Sequence, residues 1–269
     1  MHALFGQRAI IEENRYSVNR VHGSAGRMTI NSTIDEFLDR FPDSNFRVNF
    51  RMNPESFWRL VDILVARCGL QYWGQHVGPG KRARPPYQQI AIALYFLGSG
   101  DVVVERIRAI ANVSYGSVYN YVARMVHVLS SMIPEYVVWP SPASRRQMRE
   151  KHDGELFGDC VGFLDGSDIG LKMKPVKDHE TYFSRKKKKK KRYDFNLQAI
   201  CNDDEVFTYV SIQHKASMHD STAFKSTSFY RTLHTRFDEP EYILADKAYQ
   251  LEKHIITPFK APSCQRSGL

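Results

Sequence analysis

Three aspartates are the residues of this chain best placed to do chemistry, because each lies at or shortly after the end of a segment with the pattern of a β-strand. They are Asp165, Asp220 and Asp246. Asp165 ends the apolar run 161–164, and Asp246 ends the run 242–245. A buried strand that ends on an acid holds the carboxylate on a rigid base, and Gly166 would let a substrate backbone come close. Hard divalent cations prefer carboxylate oxygens, so the pattern predicts a divalent-metal site.

Each of these acids also has a structural interpretation. An aspartate followed by glycine at a strand end is commonly a turn, and Asp220 between His219 and Ser221 could cap a helix. Asp246 and Lys247 could form a surface ion pair that contributes little energy. The occurrence of all three acids in one order along the chain favours the metal site.

The elements that must position the acids follow from the periodicity of the sequence. Residues 195–201 alternate apolar and polar side chains, and residues 206–212 return after a turn, which predicts a hairpin. Residues 221–237 predict a helix and residues 241–245 a further strand. This β-β-β-α-β order with acids at strand ends predicts an α/β domain with a ribonuclease-H-like mixed sheet, at residues 151–269.

The preceding part of the chain is predicted to be helical, as a separate region at 46–150 that follows a loosely ordered leader at 1–45. A short capped helix is expected at 32–40. Asn53 followed by Pro54 is a strong helix start, and Gly69 is a plausible helix end. Further helices are expected over three ranges, which are 88–97, 103–111 and 117–130.

The last two of these helices flank the short turn 112–114, which fits a helix-turn-helix. An ordinary helical bundle has the same periodicity, so both interpretations stay open. A recognition helix should carry polar side chains near its start, and the candidates for DNA contact are Tyr115, Ser117, Asn120 and Arg124. Only Arg124 among them is basic, which is little charge for binding phosphates.

The net charge of +9 comes almost entirely from one octet of basic residues, Arg185 to Arg192. Subtracting its eight charges leaves +1, so the overall charge does not by itself indicate nucleic-acid binding. The octet could be a solvated hairpin loop, a phosphate-contacting arm or a nuclear import signal. If it contacts DNA, the candidate residues are Arg185, Lys186, Lys187, Lys188 and Arg192.

Size and composition limit the class of protein. The chain has 269 residues, of which 42% are apolar, enough for one large domain or two ordinary ones. No apolar run is long enough to span a membrane, and the N-terminus lacks the order of a secretory signal. The four scattered cysteines predict reduced thiols in an intracellular protein.

Five motifs in a fixed order resemble the DDE endonuclease domain of PIF/Harbinger transposases and of nucleases derived from them. They are Asp165-Gly166-Ser167, Arg185-Lys186, Asn196-Leu197-Gln198, His219-Asp220-Ser221, and Ala245 to Tyr249 followed by Thr257-Pro258. The helical region also resembles the family's N-terminal region, so the similarity extends over residues 46–262.

The resemblance implies hydrolysis of DNA phosphodiester bonds with two magnesium or manganese ions, in the nucleus. Asp165 would be the first catalytic acid and would bridge both ions, Asp246 would be the second, and Asp220 would complete the metal-binding set. Asn196 and Gln198 would support these acids. The family also implies a separate Myb-like partner protein that supplies sequence-specific DNA binding.

This chain departs from the family pattern at two places. Asp168 stands where the family usually has histidine, so it would be an extra ligand or would face water. The family's last catalytic glutamate lies on a later helix, whereas here the only acid after Asp246 is Glu252, which is too close to match it. We therefore expect an incomplete endonuclease domain with weak or absent cleavage. The alternative is a catalytically dead derivative that binds DNA or protein.

Overall fold

A computed structural model describes residues 34, 35, 38, 43–74, 83–99, 104–183 and 193–259. By their contacts, the described residues form two compact units, one up to Val128 and the other from Leu129 onwards. The division lies earlier in the chain than the domain boundary after residue 150 that the sequence predicts. The predicted leader and the helix at 32–40 lie largely outside the described residues.

The described part of the first unit is helical. Its helices are α1 (Asp43–Phe50), α2 (Pro54–Cys68), α3 (Pro86–Gly98), α4 (Val104–Ala111) and α5 (Tyr115–Tyr136), the last of which continues into the second unit. Helix α2 begins and ends as the sequence predicts. The Asn53 side chain accepts a hydrogen bond from the backbone N–H of Ser56 at 2.7 Å, and Gly69 follows the helix with φ of +71°.

Apolar stripes of these helices form the core of the first unit. Phe46, Phe50 and Phe57 are fully buried and pack with ring centroids 4.5 to 5.8 Å apart. Ile90 and Ile92 of α3 are also fully buried. The three helices predicted over 88–97, 103–111 and 117–130 therefore exist as α3, α4 and α5, with α5 extending to Tyr136.

The second unit contains a five-stranded sheet. Its strands are β1 (Cys160–Gly170), β2 (Asp194–Cys201), β3 (Phe207–Lys215), β4 (Tyr242–Ala245) and β5 (Ile255–Ile256). Their order across the sheet is β3-β2-β1-β4-β5. Strand β1 pairs antiparallel with β2 and parallel with β4, and β2 pairs antiparallel with β3. This mixed sheet confirms the predicted ribonuclease-H-like α/β class.

The single helix predicted over 221–237 is wrong. Helix α6 (Pro142–Lys151) precedes the sheet. In place of one helix after β3, the structure has two short helices, α7 (Asp220–Lys225) and α8 (Ser228–Arg231), followed by a 3-10 turn at Leu233–Thr235. The break lies at Thr227, whose hydroxyl donates to the carbonyl of Phe224 at 2.7 Å and accepts from the N–H of Tyr230 at 3.1 Å. A side chain that caps a new helix ends the preceding one, which apolar periodicity does not reveal.

A buried ion pair connects α6 to the start of β4. The guanidinium of Arg145 donates to Glu241 at 2.7 Å and to Asp238 at 3.0 Å, and it also reaches the carbonyl of Pro140. The side chains of Arg145 and Glu241 are only 4% and 2% exposed. Glu241 directly precedes β4, so this pair fixes the strand at its N-terminal end.

One face of the sheet is buried beneath α7 and α8. Its apolar part contains Leu164, Ile200 and Ile243, which form a cluster with Phe224 and Phe229. The other face leaves large apolar side chains partly exposed, namely Phe163, Phe207 and Val210. Among the described residues, no helix has both the length and the apolar character needed to cross a membrane.

Candidate active site

Two of the predicted acids follow paired residues on adjacent parallel strands. Leu164 of β1 is in register with Ala245 of β4. Asp165 directly follows Leu164 in the sequence, and Asp246 directly follows Ala245. Both aspartates are exposed. Asp165 accepts a hydrogen bond from the N–H of Gly166 at 2.7 Å, and Asp246 accepts one from the N–H of Ala248 at 2.8 Å. The register thus places both acids at the same level of the sheet.

The third predicted acid, Asp220, is the first residue of α7 and reaches the buried face of the sheet. Its Oδ1 accepts a hydrogen bond from Nδ2 of Asn196 at 2.7 Å. It also lies against Gly166, where an added Cβ would be 2.8 Å from Oδ1 of Asp220 and 2.7 Å from Nε2 of Gln198. The space left by Gly166 is therefore filled by these side chains and is not an opening for a substrate backbone, which corrects the role we expected for this glycine.

Tyr249 lies close to all three aspartates. Its hydroxyl is buried and donates a hydrogen bond to Oε1 of Gln198 at 2.8 Å. Burial, followed by the negative charges of Asp220, Asp165 and Asp246, raises the pKa of Tyr249 far above its ordinary value. Tyr249 is thus within electrostatic range of all three carboxylates. Asp246 directly follows β4, whereas β1 continues past Asp165 to Gly170, so this strand does not end at the acid as the sequence predicts.

The three acids do not share one face of the sheet. Side chains alternate along a strand, so Asp165 lies on the face opposite to that of Gly166 and Asp220. Within the described ranges, no group of three or more histidine, cysteine, aspartate or glutamate side chains is arranged to hold a metal ion. Among those same residues, neither Asp165 nor Asp246 forms an ion pair with a lysine or arginine.

The structure also describes the positions of Asp168 and Glu252. Asp168 is partly buried and in register with Asn196. Glu252 accepts a hydrogen bond from the hydroxyl of Tyr230 at 2.8 Å and lies 3.9 Å from Nζ of Lys225. The carboxylate of Glu252 is thus occupied by these contacts, in keeping with its omission from the catalytic set.

The helix-turn-helix candidates lie at the start of α5. Tyr115 is exposed beneath the guanidinium of Arg108, Asn120 is exposed, and Ser117 pairs with the hydroxyl of Ser114 at 2.9 Å. Arg124 differs, because its guanidinium donates to the carbonyl of Trp73 at 3.1 Å and to the side chain of Gln89 at 2.9 Å. The charge of Arg124 is therefore used inside the first unit, contrary to a phosphate-binding role.

The candidate DNA-binding residues of the basic octet, Arg185, Lys186, Lys187, Lys188 and Arg192, lie outside the described residues. The nearest described feature is an isolated antiparallel bridge between Phe183 and Tyr193, the residue directly before β2.

Sequence reasoning missed the roles of Tyr249 and Arg145. Tyr249 belongs to one of the quoted motifs, but nothing local indicates that its hydroxyl reaches Gln198, 51 residues earlier. The available signal was the Asn196-x-Gln198 spacing, which puts two amides on one face of a strand.

Comparison with known proteins gives the class of this region. Residues 164–268 match a family model described as DDE superfamily endonuclease. Most of the sheet and all three acids thus lie in a segment that is similar to DDE superfamily endonucleases, the class that the motifs resemble.

A rat protein is similar to most of this chain. The chain is 22% identical over 235 residues to "Putative nuclease HARBI1" of Rattus norvegicus, a match that covers 86% of this chain. The chain spans 63% of the length of that relative. No solved structure matches the chain.

Proposed function

We propose that this protein is a transposase-derived endonuclease that hydrolyses phosphodiester bonds in DNA with the help of divalent metal ions. The observation that carries the proposal is the register of β1 and β4, which places Asp165, within β1, level with Asp246, directly after β4, on adjacent parallel strands. The matched family model and the similarity to a protein named as a nuclease support the same function.

The chemistry of the donor set fits magnesium or manganese. Asp165 and Asp246 offer exposed carboxylate oxygens that accept hydrogen bonds from backbone N–H groups, and no lysine or arginine among the described residues pairs with them. Asp220 would complete the set from the opposite side. Hard cations bind such oxygens and retain water, so few protein ligands suffice. When bound, a metal pair supplies an activated water and stabilises the leaving oxygen.

The protein's own part in this chemistry would be to hold the carboxylates in position. The register of the two strands fixes the separation of Asp165 from Asp246, and the contact with Asn196 fixes Asp220. A phosphodiester is anionic and repels a nucleophile, so carboxylates alone would bind DNA poorly. Site-bound cations together with basic side chains near the site would overcome this repulsion.

The basic octet would contact the DNA backbone without sequence preference, and it would also suit import into the nucleus. The exposed Tyr115 and Asn120 of α5 would contribute less to DNA binding, because Arg124 is engaged elsewhere. Sequence-specific binding would come from a Myb-like partner.

The second candidate is a catalytically dead derivative that binds DNA or protein. It is favoured by the lack of a three-ligand metal cluster in the part of the chain that the structure describes, and by the engagement of Glu252 with Tyr230. A protein of this kind would keep DNA binding and lose cleavage.

Plasmid nicking with magnesium or manganese separates the two candidates. The active protein should convert supercoiled plasmid to open circles, and Asp165→Asn should abolish the conversion. Asp178→Asn is the matched control, because Asp178 is 74% exposed and has a left-handed backbone conformation that asparagine tolerates. Equal nicking by the wild type and Asp165→Asn, or none by either, contradicts the nuclease and leaves the second candidate.

A further inference from the structure

A buried chain of hydrogen bonds crosses the polar part of the sheet. The hydroxyl of Tyr249 donates to Oε1 of Gln198 at 2.8 Å, and Nε2 of Gln198 donates to Oδ1 of Asn196 at 2.7 Å. Nδ2 of Asn196 then donates to Oδ1 of Asp220 at 2.7 Å. Asn196 and Gln198 are fully buried, and Tyr249 is 5% exposed. We call these three donors, Tyr249, Gln198 and Asn196, the amide relay.

The direction of the amide relay is fixed by its last acceptor. An ionised carboxylate can only accept, so Asn196 must turn its NH2 group towards Asp220 and its carbonyl towards Gln198. Gln198 must then donate to Asn196 and accept from Tyr249. With its NH2 group donating to Asn196, Gln198 presents its carbonyl oxygen to Tyr249, and this oxygen can only accept, so the phenol is the donor. Reversing the Asn196 amide would break two hydrogen bonds at once, those with Asp220 and with Gln198.

Gly166 closes the space around the end of the relay. A side chain at this position would collide with both Nε2 of Gln198 and Oδ1 of Asp220. Asp220 is therefore held between the sheet backbone on one side and Asn196 on the other. Its carboxylate has little freedom to move sideways, because close-packed surroundings yield only at a cost.

The first donor of the relay comes from the turn that carries another acid. In this turn the N–H of Tyr249 donates to the backbone carbonyl of Asp246 at 3.2 Å, and the N–H of Ala248 donates to the Asp246 carboxylate. Tyr249 thus contacts the segment of Asp246 through its backbone and, through the relay, Asp220. A displacement of the turn would be transmitted to Asp220.

We infer that Tyr249 and Gln198 are positioning residues, which hold the carboxylate of Asp220 at a fixed place relative to Asp246. This inference rests on the proposed function, because a defined spacing of these acids matters only if they act together. Hydrogen bonds in a low-dielectric interior reinforce one another along a chain, which suits the relay to this task. A purely structural role would satisfy buried polar groups and have no effect on Asp220.

The first test uses the metal-free protein and needs no activity. Tyr249→Phe removes only the hydroxyl that starts the relay. The side-chain amide resonances of Gln198 and Asn196 should shift in NMR spectra, and so should the carboxylate ¹³C resonance of Asp220. Tyr230→Phe is the matched control, because it removes a phenol hydroxyl that donates to the carboxylate of Glu252 in the same unit. It should leave all three signals unchanged.

The second test measures nicking as a function of manganese concentration. We expect Tyr249→Phe to lower the rate about three- to tenfold at subsaturating metal, the size expected for one hydrogen bond to a charged network. The manganese concentration for half-maximal rate should rise. In the Asn196→Ala background the same substitution should have no further effect, because the link to Asp220 is already broken. Tyr230→Phe should behave as the wild type.

The two tests separate failure of the inference from failure of the proposed function. If Tyr249→Phe leaves the Asp220 resonance unchanged, or if its effect on nicking is the same with and without Asn196, the positioning role is overturned. If the wild type does not nick plasmid, the proposed function fails, and the positioning role fails with it. Shifted resonances in that case would still show that the amide relay exists.

Discussion

The buried face of the sheet has two halves that are chemically opposite. The apolar half consists of Leu164, Ile200 and Ile243, packed against Phe224 and Phe229. The polar half consists of Asn196, Gln198 and the end of the Asp220 side chain. Strand β2 contributes to both halves, since Ile200, Gln198 and Asn196 are successive inward residues and each is fully buried.

Burial stabilises the apolar half, whereas in the polar half it mainly fixes the orientation of side chains. Burying an isoleucine side chain contributes about 1.5–3 kcal/mol and sets no direction. A buried hydrogen bond contributes a net value of only about 0.5–1.5 kcal/mol, but it fixes the orientation of both partners. The polar half thus stabilises the domain less for the same burial, and what it adds is a defined position for Asp220.

Ile200→Ala should have the largest effect on stability. Removing this fully buried side chain from the apolar half should lower the free energy of unfolding by about 3 kcal/mol, measured by urea denaturation. Nicking per folded molecule should stay near the wild-type rate, because the side chain makes no contact with the acids. A loss of nicking much greater than the loss of folded protein would remove the division between the halves.

Gln198→Leu should have a smaller effect on stability and a larger one on activity. The change keeps the volume similar but leaves the Asn196 carbonyl and the Tyr249 hydroxyl without their partner, at a cost of about 1–3 kcal/mol. Nicking should fall by more than the folded fraction does. If denaturation and nicking decline in parallel, the polar half has no role beyond stability.

His152→Gln should have the smallest effect on stability, because His152 lies outside both halves, beside the β2–β3 turn. His152 contacts Asp203 in the β2–β3 turn and Glu155, each at 3.0 Å, and hydrogen bonds with these acids raise its pKa. Stability from a raised pKa is present below the unfolded value of 6.5 and is lost as the pH rises through the folded value. The melting temperature of the variant should therefore lie below that of the wild type at pH 5.5 and converge with it at high pH. A constant difference would contradict this account, and nicking should not follow the same pH dependence.

The strands and acids could be predicted from the sequence because they depend on local patterns. Apolar runs before Asp165 and Asp246 predict both strands, but they predict a strand end at Asp165 that the structure does not have, because β1 continues to Gly170. Which face of β2 is buried could not be predicted in this way. Its apolar alternates (Phe195, Leu197, Ala199 and Cys201) point away from the core, and Asn196 and Gln198 point into it. Hydrophobic alternation alone would favour the opposite arrangement.

The remaining features depend on contacts between distant parts of the chain. The Tyr249–Gln198 bond joins residues 51 apart, and the Arg145–Glu241 pair joins residues 96 apart. The end of α7 depends on one hydroxyl at Thr227. Each of these is a consequence of tertiary packing, so no short window of sequence contains the information that specifies it.

The Arg145–Glu241 pair determines where a recombinant fragment that contains the sheet should begin. A fragment starting at residue 151, or at 164 where the family similarity starts, would lack Arg145 and leave Glu241 buried without its cation. Removing one partner of a buried pair costs about 3–5 kcal/mol, a large share of a typical domain's stability. A fragment that starts before Pro140 would keep the guanidinium, its contact with the Pro140 carbonyl and the anchored start of the strand that ends at Asp246.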